Sequence, residues 1–92
     1  MEQERKANIL LVDDKPYNLA ALELLLGRSD RNLIGVTSGK EALSIALKGK
    51  IDLIIMDVHM PGMEGYEAAE ILKSNKRTKD IPIIFASASV FS

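Results

Sequence analysis

Ile51–Met56 (IDLIIM) is a short apolar run that ends on an acid, Asp57. It has a counterpart near the start, Asn8–Val12 (NILLV), which stops at Asp13 and Asp14. Runs that are apolar throughout, instead of alternating, fit strands buried on both faces of a parallel sheet. Leu33–Thr37 and Ile81–Ala86 (IPIIFA) complete a set of four. Helical patterns lie between them. Pro16–Leu26 carries Leu19, Leu22, Leu25 and Leu26 on one stripe, with Pro16 suited to a first turn and Gly27 to the stop. Gly39–Lys48 sets Ala42, Ile45 and Ala46 on one face before Gly49, and Tyr66–Asn75 turns Ala68, Ile71 and Leu72 inward. The order β-α-β-α-β-α-β predicts an α/β fold: a parallel sheet, right-handed crossovers and helices on both faces.

The composition bounds the rest. The chain has 92 residues, 47% hydrophobic and 27% charged, with a formal net charge of -1. That is one small domain, expected over residues 8–92 after a polar tail at 1–7. A charge near zero gives no general attraction to nucleic acid or to an anionic membrane, so neither is expected as a direct partner. With two Phe, two Tyr and no Trp there is no platform for stacking bases. Zero cysteines exclude disulfides, thiolate metal sites and thiol nucleophiles. The polar start is neither a signal peptide nor a span, which makes the cytoplasm the default location.

The acids carry the chemistry. In open parallel sheets, ligands bind beyond the carboxyl ends of the strands. If the strands ending at Asp13–Asp14 and at Asp57 are neighbours, three carboxylates converge there. Crowded carboxylates are relieved by protonation or by a bound cation. An all-oxygen set with no His or Cys cluster favours Mg²⁺ or Mn²⁺ over zinc. Such an ion can hold a phosphoryl oxygen while a carboxylate beside it acts as nucleophile. An Asp after a strand also serves as a helix N-cap, and Asp13 or Asp14 alone fits that plainer role.

The chain resembles the receiver domain of bacterial two-component response regulators. The matching pieces are LLVDD (Leu10–Asp14), Asn18, TSGKEAL (Thr37–Leu43), DLIIMDVHMPGMEG (Asp52–Gly65) and IPIIFASA (Ile81–Ala88). The resemblance implies a flavodoxin-like open parallel sheet of order 2-1-3-4, without the family's fifth strand and last helices. It implies that Asp57 accepts phosphate from a sensor histidine kinase or a phosphotransfer protein. Asp14 and Asp57 then ligate Mg²⁺, together with the backbone carbonyl of His59, while Asp13 does so through water. Ser87 stands where the family has its switch hydroxyl.

The chain departs from the family after the fourth strand. No lysine stands at the place that follows the family's fifth strand, and Lys15 is the nearest candidate by sequence. The fourth strand becomes an edge, and IPIIFA has no charge to protect it. Self-association, as a homodimer or higher, is the expectation from such an edge. The first helix is expected to expose part of its leucine stripe.

Three functions compete. The first is a phospho-acceptor signalling module that is not an enzyme. The second is an interaction module derived from a receiver, acting by self-association without phosphorylation. The third is a phosphatase of the haloacid-dehalogenase type, which needs an acid two residues after its nucleophile, where this chain has His59. Flavin binding lacks a phosphate-cradling loop, since DDKPYN follows the first strand. The side chain of His59 is expected to face solvent, and Pro61–Gly62 to shape the loop after Asp57. Met56, Met60 and Met63 read as packing, and the basic run Lys73–Lys79 as a solvated helix end.

Overall fold

A computed structural model describes residues 6–60, 62 and 65–86. Its elements run β1 (Ala7–Val12), α1 (Pro16–Leu26), β2 (Arg31–Val36), α2 (Gly39–Leu47), β3 (Leu53–Asp57), α3 (Gly65–Ser74) and β4 (Ile83–Ala86). All strand pairings are parallel, and the sheet order is β2-β1-β3-β4. This is the flavodoxin-like arrangement expected. β1 takes in Ala7, which pairs with Arg31. β4 begins two residues later than the apolar run, because Pro82 has no N–H to donate; its carbonyl still accepts from Ile54.

The pleat divides the core. Leu10 and Val12 of β1 and Ile54 and Met56 of β3 join Ala42 and Ala46 of α2 and Ala68 and Leu72 of α3. On the other face Ile9 and Leu11 meet Leu19 of α1, with Leu22, Leu26, Leu33, Leu53 and Ile55 half-buried around them. One helix covers this second face and two cover the first. One sequence expectation is met here and one fails. Leu25 is 79% exposed beside Leu24, the part of the leucine stripe left uncovered, because the angular sector of α1 facing the sheet is filled by Leu19, Leu22 and Leu26. Ile71 is also exposed, because Ala68 and Leu72, four apart, supply the inward line of α3.

Local chemistry fixes the ends of the elements. Pro16 opens α1 with Lys15 at the N-cap, and Gly27 closes it, its N–H donating to the Glu23 carbonyl at 2.9 Å. Ser38 caps α2, accepting from Glu41 N–H at 3.2 Å, while Glu41 reaches back to Thr37 and Ser38. The basic run at the end of α3 is solvated as expected, with Lys73, Lys76, Arg77 and Lys79 exposed, and some of its donors are also used. Lys73 Nζ donates to the carbonyls of Lys79 and Ile81, Arg77 donates to the Leu47 carbonyl, and Thr78 is fully buried against the Leu72 carbonyl. These bonds tie the turn between α3 and β4 to the helices on the first face. Among the described residues, no helix is long and apolar enough to cross a membrane.

Candidate metal and phospho-acceptor site

β1 and β3 are hydrogen-bonded neighbours, with Val12 opposite Met56. Parallel pairing in this register brings Asp13 and Asp14, just past β1, level with Asp57 at the end of β3. One carboxylate oxygen from each of the three lies within 4.8 Å of the others. Asp13 is 4% exposed and Asp57 7%, so two of the three charges sit in a largely desolvated pocket. Mutual repulsion at this spacing is strong where water is excluded. An all-carboxylate, partly open group suits a hard divalent cation of the Mg²⁺ type.

Each acid is held differently. Asp13 Oδ1 accepts the Lys15 backbone N–H at 2.9 Å, and Oδ2 accepts Asn18 Nδ2 at 3.1 Å. The first is an Asx-turn bond that leads the chain from β1 into α1. Asp13 and Asp14 are therefore not the N-cap of α1; Lys15 holds that place. Asp14 pairs with the Lys15 ammonium at 3.5 Å, across an exposed contact. The neighbouring carboxylate of Asp14 is the main reason the Lys15 pKa is raised, with desolvation opposing it. Asp57 Oδ1 accepts the His59 backbone N–H at 3.3 Å.

The rest of the predicted set is placed as follows. His59 is exposed, with its backbone turned by the bond to Asp57. Met56 and Met60 are buried, as packing residues should be. Ser87, Pro61 and Met63 lie outside the described residues. Two residues matter more than their sequence context announces. Gly65 opens α3 so close to β3 that a Cβ there would collide with the Asp57 carbonyl oxygen, while its N–H donates to the Val58 carbonyl at 3.0 Å. A glycine eight residues past the acid reads only as part of a loop until the fold shows what it touches. Asn18 carried no assigned role, and its bond to Asp13 crosses five residues.

Known proteins agree with this arrangement. Residues 9–90 match the response regulator receiver domain model. Protein PilH of Pseudomonas aeruginosa is 31% identical over 81 residues, which is 88% of this chain and 67% of that protein. A probable cyclic di-GMP phosphodiesterase of Vibrio cholerae is 41% identical over 85 residues, 92% of this chain but 19% of that protein. The activity in that name thus belongs to a protein of which this chain spans about a fifth. The crystal structure of the receiver domain of sensor histidine kinase PA1611 from Pseudomonas aeruginosa, with a magnesium ion coordinated in its active site cleft, superposes with a TM-score of 0.84. It is 29% identical, over 95% of this chain and 71% of that one. Sheet order, three acids at adjacent strand ends and these matches lead to one assignment: the chain belongs to the response regulator receiver domain family.

Proposed function

We propose that the chain is a cytoplasmic, non-enzymatic phospho-acceptor module of two-component signalling, in which Asp57 takes a phosphoryl group from a sensor histidine kinase or a phosphotransfer protein. The observation that carries this reading is the convergence of Asp13, Asp14 and Asp57 within 4.8 Å at the carboxyl ends of β1 and β3. Asp57 Oδ attacks the phosphorus of a phosphohistidine; the P–O bond forms as the P–N bond breaks, and the electron pair stays on the imidazole. The His59 N–H holds Oδ1, which leaves Oδ2 as the attacking oxygen. Asp14, Asp57 and the backbone carbonyl of His59 would hold Mg²⁺ or Mn²⁺, with Asp13 acting through water. When bound, the cation offsets the carboxylate repulsion and neutralises charge on the transferring group. Ser87 supplies the hydroxyl that turns toward the phosphate.

A small phosphodonor with Mg²⁺, read by intact mass, tests this. One added phosphoryl group is expected on the wild type and none on Asp57→Asn. Labelling that persists in Asp57→Asn overturns the assignment of the acceptor.

A second reading is favoured by a separate observation. Among the described residues β4 is the outermost strand next to β3 and carries no charge, its Ile84 52% and Phe85 39% exposed. Tyr66 packs on Phe85 with ring centroids 4.8 Å apart. Exposed apolar side chains on this outer strand support pairing with a second copy, so that the module also self-associates independently of phosphorylation. Sedimentation at rising concentration is expected to show a dimer or larger species; a concentration-independent monomer overturns this reading.

A further inference from the structure

We propose that Asn18 is a positioning residue for the acidic pocket, acting through Asp13 to set the pocket's preference for a small divalent cation. This rests on the reading of Asp13, Asp14 and Asp57 as a cation site.

The three acids are restrained to different degrees. Asp14 meets one exposed ammonium at 3.5 Å, and Asp57 one backbone N–H at 3.3 Å. Asp13 has a donor on each oxygen, at 2.9 and 3.1 Å, and its own N–H is fixed to the Val36 carbonyl at 3.1 Å. Both of its donors are anchored at the start of α1. Lys15 is the N-cap, and the Asn18 backbone N–H donates to the Lys15 carbonyl at 3.0 Å. Asn18 thus grips Asp13 from a fixed point, through a side chain with few rotamers.

Two consequences follow. A carboxylate whose oxygens already accept N–H bonds is a weaker direct ligand and a better-oriented acceptor for a coordinated water. Asp14, with the least restraint, is left as the stronger direct ligand. Orientation also matters more for one cation than for another. Mg²⁺ demands a near-ideal octahedron and keeps several waters, whereas Ca²⁺ accepts irregular ligand sets at longer distances. A rigid Asp13 therefore favours Mg²⁺. Helix propensity offers no other reason for the residue, because Asn is a poor helix former and Ala in its place strengthens α1.

The test is Mn²⁺ binding by electron paramagnetic resonance, with Mg²⁺ and Ca²⁺ as competitors, on the wild type, Asn18→Ala, Asp13→Asn and the double variant. Asn18→Ala is expected to weaken Mg²⁺ about tenfold and Ca²⁺ less than about threefold. In the Asp13→Asn background the Asn18→Ala effect is expected to vanish, since the two residues act as one unit. Asn18→Ser, which keeps a short polar group but cannot reach Asp13 in the same way, should behave like Asn18→Ala and serves if that variant folds poorly. Equal Mg²⁺ affinity in wild type and Asn18→Ala overturns the proposal. So does an equal loss for Mg²⁺ and Ca²⁺, or an Asn18→Ala effect that persists beside Asp13→Asn. A wild type that binds no divalent cation overturns the reading of the pocket itself, which is a different result.

Discussion

Asp52 and Asp57 flank one strand, five residues apart, and end up with opposite roles. At the amino end of the sheet Asp52 Oδ2 accepts the Asn8 backbone N–H at 2.8 Å, while its own N–H donates to the Asn8 carbonyl at 2.8 Å. Asn8 Nδ2 donates to the Lys50 carbonyl, and Asn32 Nδ2 donates to Asn8 Oδ1. The result is a clasp joining the starts of β1, β2 and β3, in which the Asp52 carboxylate accepts a short bond from a backbone N–H. At the carboxyl end Asp57 meets two further acids and one long N–H bond. A carboxylate held by a short backbone bond stabilises the fold; a carboxylate among carboxylates destabilises it and is available for a cation and for chemistry. The residue type is the same, and its neighbours decide.

The contrast can be broken most decisively at the carboxyl end. Asp14→Ala should weaken Mn²⁺ or Mg²⁺ binding by about two orders of magnitude, equivalent to about 2.7 kcal/mol. Asp52→Ala should leave it within about twofold, and a cation titration of the two variants side by side separates them. Next in size is Gly65→Ala. Its methyl would collide with the Asp57 backbone, so urea unfolding should show a loss of about 2–3 kcal/mol.

Asp52→Ala should cost about 1–2 kcal/mol in the same assay, because the Asn8 N–H loses its partner. Asp57→Asn should go the other way. Without divalent cations it should be about 1 kcal/mol more stable than wild type, as one of three like charges is removed. Mg²⁺ should then stabilise the wild type and not the variant, by mass action on the folded state alone. A stabilising Asp52→Ala, or a destabilising Asp57→Asn in chelator, would sink the comparison.

The smallest effect belongs to Lys15. Its ammonium competes with a cation for Asp14, so Lys15→Met should tighten Mg²⁺ about threefold or less, and less still at high salt. Unchanged or weaker binding would mean that the pair at 3.5 Å does not compete.

Much of the fold was legible in the chain because it rests on local chemistry. Four apolar runs, Pro16 at a helix start and Gly27 at its end act within a few residues, and their elements formed within about two residues of where expected. Ile71 was misread, and which leucine of the α1 stripe would be exposed was not foretold, for a reason of the same kind. Helical spacing tells which residues share a stripe, but not how wide a sector the neighbouring sheet covers.

The acids divide along the same line. That three carboxylates stand at strand ends, with no His or Cys cluster around them, was fixed by sequence alone, and so was the oxygen-only character of any site they form. That they lie within 4.8 Å of one another, with Asp13 gripped by Asn18 and Asp57 roofed by Gly65, was decided by the tertiary structure. It depends on β1 and β3, distant in sequence, pairing as neighbours in one register. Strand order and register are set by how all the side chains pack together, and no local run of residues encodes them.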